Sequence, residues 1–148
     1  MGCLPLCCLA GQEPAGRSNE SKPMRLDAAL PYIDRALELA RARNVRVAVA
    51  VVDAAGHLVA FKKDDGTQLG SIELALMKAR TSALFLRPTE DMEKALHEGK
   101  SMIATLPNML PAGGGIPITR DGAVIGALGL SGGEGETDAR LAEAAVRN

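Results

Sequence analysis

Gly113-Gly114-Gly115-Ile116-Pro117-Ile118-Thr119-Arg120-Asp121-Gly122 runs through Val124-Ile125-Gly126-Ala127-Leu128-Gly129-Leu130 to Ser131-Gly132-Gly133, and this stretch decides the fold. Nine of the sixteen glycines lie between Gly113 and Gly135, so their placement asks for a local cause. Glycine weakens a strand and is kept where the chain needs a positive φ, a bulge, or close approach of a backbone or ligand. The apolar run between the glycines is β-rich and is broken by Asp121-Gly122, a turn signal. The segment therefore reads as a hairpin, with strands over 116–119 and 123–130 and a tight loop at each end.

Working outward, a second hairpin precedes it. Val47, Val49 and Val51 alternate with Ala48, Ala50 and Val52, and neither set is polar. A strand over 45–52 with two apolar faces is covered on both sides. Asp53-Ala54-Ala55-Gly56 is a turn, with Gly56 suited to the left-handed position of a bulged hairpin. The return strand covers 57–62. Leu26, Leu30, Ile33, Leu37 and Ala40 recur at helical spacing, and Pro31 predicts a start close to Leu30 or a kink, giving a helix over 30–43. Ile72, Ala75, Leu76, Ala79 and Ala83 mark a helix over 71–84, with Ser71 as the expected N-cap. Thr89 is the expected cap of a third helix, stopped by Gly99, with Glu90 and Asp91 in its first turn. Lys100–Leu106 adds a helical turn or two. Leu141, Ala144 and Ala145 mark a last helix over 136–147. The expected class is α+β: an antiparallel sheet of two hairpins flanked by helices in profilin-like layers.

The chain of 148 residues suits one domain. A net charge of −1 argues against a nucleic-acid partner, which calls for a basic excess. No apolar run approaches the roughly 18 residues of a membrane helix. There is no Trp, one Tyr and two Phe, so the core must be aliphatic. Cys3, Cys7 and Cys8 are the only cysteines, which removes disulfides and cysteine metal ligands from the rest of the chain. Met1–Ala10 lacks a basic n-region and is a poor signal peptide, so the cytoplasm is the expected compartment. Met-Gly-Cys hints at acylation, but Leu6 stands where a myristoylation signal wants Ser or Thr. Residues 1–23 read as a disordered tail or start-site extension, and 24–148 as the domain.

Several residues carry candidate chemistry. His57, just after the hairpin turn, is the best single candidate for an imidazole ligand to haem iron or a metal; its alternative is a solvent-facing turn residue. Glu93 and His97 share a helix face at a spacing a metal could use, or lie on a solvated face, and no metal site is expected. Met77, Met92, Met102 and Met109 are soft ligands or, more simply, core fillers. Gly114, Gly115, Ile116 and Pro117 on one side, and Ser131, Gly132 and Gly133 on the other, are the expected borders of a ligand pocket. Amides around Gly132, at the start of the last helix, suit a carboxylate. The competing reading is tight packing turns. The spacing fits neither a P-loop nor a dinucleotide fingerprint. No nucleophile–base pair stands out, so catalytic residues are not assigned and turnover is left open.

Together these segments resemble the GlcG/HbpS family, also described as the haem-degrading or DUF336 domain and as the C-terminal domain of PduO-type proteins. The matching pieces are Val51 to Phe61, Asp65-Gly66, Lys78-Ala79-Arg80-Thr81-Ser82, Gly114 to Ile118, Val124 to Gly133, and Asp138. The resemblance covers nearly all of residues 24–148. It implies an α+β domain that assembles into homo-oligomers and takes haem or another tetrapyrrole. This chain departs from the pattern at Lys63-Asp64, where relatives commonly carry Arg-Met before Asp-Gly. The first functional reading is a haem- or tetrapyrrole-binding oligomeric module. The alternatives are a small-molecule enzyme with a glycine-lined pocket, and a ligand-free oligomeric accessory subunit.

Overall fold

A computed structural model describes residues 23–147. The tail expected over 1–23 lies, apart from Pro23, outside the described residues. The elements run α1 (Leu26–Arg41), β1 (Ala48–Asp53), β2 (Leu58–Lys63), α2 (Gly70–Phe85), α3 (Thr89–His97), a 3-10 turn (Ser101–Thr105), β3 (Gly115–Arg120), β4 (Ala123–Ser131) and α4 (Gly135–Val146). The four strands form one sheet in the order β2-β1-β4-β3, antiparallel at every junction. The two hairpins thus lie side by side, joined through their inner strands, as the α+β reading expected. No helix among the described residues is long and apolar enough to cross a membrane.

The alternation in β1 sets the thickness of the two layers around the sheet. Val47, Val49 and Val51 point to the side where α1 and α4 lie, with Leu128, Leu130, Ile118, Ile33, Leu37 and Leu141. Ala48, Ala50 and Val52 point to the other side, where α2 brings Ala75, Ala79 and Ala83. Small residues on both surfaces let α2 approach closely. A Cβ at Gly129 would stand 2.0 Å from the Ala75 carbonyl oxygen and 2.5 Å from the Ala79 nitrogen. Only glycine at that point of β4 tolerates a helix backbone so near.

Both turns use the expected residues. Asp121 and Gly122 have φ of 51° and 77°, the pair of positive values a two-residue hairpin with the right twist requires. Gly56, at φ 82°, closes the other hairpin, and the Asp53 carboxylate accepts hydrogen bonds from the Ala55 and His57 amides. Lys62 and Lys63 on edge strand β2 and Pro117 on edge strand β3 disfavour pairing of the sheet with other strands.

Three local expectations are corrected. Helix α1 begins at Leu26 and passes through Pro31, because Ala29, Ile33, Ala36, Leu37 and Ala40 pack as one buried stripe that outweighs one lost hydrogen bond. Ser71 lies inside α2 and is buried, so it caps nothing. Thr89 is the first residue of α3, and its hydroxyl is used elsewhere, as the site shows.

Candidate functional site

The glycine loops converge where α2, α3 and α4 meet the end of the sheet. Lys78, on the inner side of α2, is 3% exposed. Its ammonium donates to the Leu130 carbonyl at 3.2 Å and to Asp138 Oδ2 at 2.9 Å. Asp138, in the first turn of α4, is equally buried. It accepts from the Gly133 amide at 2.8 Å and, at a longer 3.4 Å, from the Gly132 amide. The amides that suit a ligand carboxylate are thus paired with a carboxylate of the chain itself. The pair ties α2, β4 and α4 together.

Side chains of α2 and α3 fasten the strand entering β3. Thr89 Oγ1 accepts from the Gly115 amide at 2.8 Å, Glu93 from the Gly113 amide at 2.8 Å, and Thr81 from the Leu110 amide at 2.9 Å. A Cβ at Gly114 would meet the Leu130 carbonyl at 2.4 Å; at Gly115, the Lys78 carbonyl at 2.3 Å; at Gly132, the Arg46 carbonyl at 2.0 Å. The structure therefore brings Gly114, Gly115, Ser131, Gly132 and Gly133 together, with all but Gly133 at least half-buried in their own chain. Ile116 and Pro117 are half-buried on β3.

His57 stands apart from this cluster. It follows the end of β1 that pairs Asp53 with Gly126, whereas Ser131 pairs with Ala48 at the other end. Its side chain is 78% exposed, with Nδ1 3.5 Å from Asp53 Oδ2 and, among the described residues, no hydrogen-bond partner for Nε2. Gly56, just before it, packs on α2: its Cβ position lies 3.6 Å from both Leu84 Cγ and Arg80 Cγ. Arg80 Nε donates to the Gly56 carbonyl at 3.1 Å. His57 therefore adjoins the outer face of α2. That face carries exposed Leu74, Met77, Leu84 and Phe85, followed by Leu86. Met92 and Met109 are core fillers as expected, while Met77 and Met102 face out. His97 is exposed at the end of α3. Among the described residues no group of three or more His, Cys, Asp or Glu is placed to hold a metal ion.

Sequence reasoning did not foresee the Lys78–Asp138 pair. The available signal was one lysine inside the Ala75, Ala79, Ala83 stripe, where a charge needs a partner. Asp64, the departure noted above, is also buried at 4% exposure. Its Oδ1 accepts from Arg41 Nε at 2.9 Å and from a second Arg41 nitrogen at 2.6 Å, whereas Oδ2 has no partner. These hydrogen bonds, and then the charge of Asp64, raise the Arg41 pKa above its ordinary value. Three grooves formed by described residues have volumes of about 150, 250 and 250 Å³. All fall below the roughly 300–1,000 Å³ of sites that enclose drug-sized ligands.

A four-stranded antiparallel sheet with one helix on one face, two on the other and a buried Lys–Asp pair at its end defines a three-layer α+β domain. The chain belongs to the family described as haem degrading protein HbpS-like, whose model matches residues 24–147. Protein GlcG of Escherichia coli (strain K12) is 38% identical over 94 residues, which cover 64% of this chain and 70% of GlcG. The crystal structure of a double mutant of Streptomyces reticuli HbpS matches with a TM-score of 0.79 at 29% identity, covering 96% of this chain and 97% of that one. The crystal structure of a PduOC–haem complex matches with a TM-score of 0.77 at 30% identity, covering 84% of this chain and 93% of that one.

Proposed function

We propose that this chain is a haem- or tetrapyrrole-binding module that works as a homo-oligomer. The observation that carries the reading is the outer face of α2. Beside the alanines that meet the sheet, α2 carries large apolar side chains on the side turned away from it, where water would otherwise meet them. The uncovered side presents Leu74, Met77, Leu84 and Phe85, with an exposed imidazole and an arginine at its end. A haem is a flat apolar body with an iron that takes imidazole and with two carboxylates at its rim. The face fits it: the apolar side chains would lie against the macrocycle, His57 would supply Nε2 to the iron, and Arg80 would face a propionate. The Asp53 carboxylate beside Nδ1 would orient the ring, as metal-bound histidines are commonly oriented. A second copy over the same face would exclude water from the other side of the macrocycle. The glycine segments serve packing in this reading, and the likeness to PduOC, crystallised with haem, supports the ligand class.

Hemin titration followed through the Soret band tests the proposal, with light scattering to count copies. Saturable binding is expected, weakened at least tenfold, or about 1.4 kcal/mol, by His57→Ala and by Leu84→Glu. The His57 side chain is largely exposed and Leu84 half-exposed, so the variants should stay folded. No Soret change in the wild-type chain overturns the ligand reading and leaves an accessory subunit. Equal binding by both variants overturns the face.

A further inference from the structure

On the opposite side of the sheet, a groove of about 250 Å³ runs between α1, the β3–β4 turn and the end of α4. Ala28, Tyr32 and Arg35 stand at i, i+4 and i+7 of α1 and so share one face. Arg120 reaches the groove from the last position of β3, held by the Asp121-Gly122 turn. Pro31 and Ala145 complete its walls.

The cations are what distinguish this groove. Among the described residues eight arginines and lysines form ion pairs: Arg25 with Asp27, Arg41 with Asp64, Lys62 with Asp34, Lys78 with Asp138, Lys94 with Glu90, Lys100 with Glu98, Arg140 with Glu136 and Arg147 with Glu143. Among the described residues, Arg35 and Arg120 make no side-chain hydrogen bond or ion pair. Arg43, Arg46, Lys63 and Arg87 also lack partners, but none of the three grooves joins two such cations except this one. Two guanidinium groups from separate elements, beside a phenol and an apolar floor, form the donor set that planar or tetrahedral oxyanions recognise.

We propose that this groove binds a small metabolite bearing a carboxylate or phosphate group, with Arg35 and Arg120 as its anion clamp and Tyr32 as a further donor. The volume admits a compact metabolite and not a macrocycle, so the site is separate from the proposed haem face.

The test is titration of the full chain, at low ionic strength, with inorganic phosphate and with succinate, followed by amide chemical shifts. Saturable binding is expected with Kd at or below about 1 mM. Arg35→Gln and Arg120→Gln should each weaken it at least about tenfold, since charge-assisted hydrogen bonds are lost. Arg43→Gln, an unpaired arginine outside the groove, should leave it unchanged. Binding of one probe and not the other selects phosphate or carboxylate chemistry. Absence of saturation by both probes up to about 10 mM overturns the proposal. So does equal weakening by Arg43→Gln, which would mean general charge attraction. Neither outcome bears on hemin binding, which is read separately at the Soret band.

Discussion

Replacing Gly129 by alanine should loosen the whole α2 layer. The added Cβ would lie 2.0 Å from the Ala75 carbonyl oxygen, 2.5 Å from the Ala79 nitrogen and 2.9 Å from the Ala79 Cβ. Two of these are backbone atoms, so no rotamer change relieves the clash. Helix α2 must retreat by about 1 Å to restore ordinary contact, and a gap of that size forfeits about a quarter to a half of each dispersion contact it opens. The layer affected includes Ala48, Ala50, Val52, Ala75, Ala79, Ala83 and Ala127. Overpacking of this kind costs about 1–3 kcal/mol, and a backbone-limited site belongs at the upper end. With a urea m-value of about 1.5 kcal/mol/M, a loss of about 3 kcal/mol lowers the midpoint by about 2 M. Gly70→Ala is the matched control: it lies at the start of the same helix, and nothing stands within 4 Å of its Cβ position. It should be neutral or stabilising by up to about 1 kcal/mol. Urea melts at fixed protein concentration would refute the reasoning if Gly129→Ala fell within about 0.5 kcal/mol of wild type, the range of an ordinary surface change.

The other expectations follow from the two buried carboxylates and the uncovered helix. Lys78→Met should destabilise by about 3–5 kcal/mol, because Asp138 stays buried without its cation; a midpoint within error of wild type would show that the Gly132 and Gly133 amides suffice. Asp64→Leu should leave the melting temperature unchanged or raise it by a few degrees, since it removes a buried oxygen with no partner and frees an arginine that water can solvate. The raised Arg41 pKa means that its contribution holds below the ordinary arginine value and is lost only as pH rises through the raised one, so melts between neutral and mildly alkaline pH should not register it. Met77→Glu should convert the proposed oligomer to smaller species in light scattering, and an unchanged mass would place the contact elsewhere.

The parts of the fold legible in the sequence are those with a local cause. Asp121-Gly122 and Gly56 each supply a positive φ where a hairpin needs one, and the Val/Ala alternation of β1 showed two apolar faces before any partner was known. What that alternation could not show is that the alanine face receives one closely packed helix and the valine face two. The start of α1 was missed because Pro31 is a local signal, while the buried stripe that overrides it depends on β-strands far along the chain. Ser71 and Thr89 were read as caps because a hydroxyl before an apolar run usually is one. Burial silences the first, and Gly115, 26 residues away, takes the second.

The glycine loops show the same limit in the candidate site. Their amides were legible as an anion receptor, and they do hold an anion. That anion is Asp138, whose partner Lys78 lies sixty residues away in the chain. An internal carboxylate at the start of α4 forms a structural clasp between α2 and α4. Further ligand chemistry belongs to groups whose side chains face outward. Two such places stand out, the α2 face beside His57 and the groove holding Arg35 and Arg120. The four-stranded sheet lies between them, with α2 on one side and α1 and α4 on the other. Ligands at the two places would share no side chain, so coupling between them would pass through the sheet, which packs on both layers, and through the Lys78–Asp138 clasp, which joins α2 to α4.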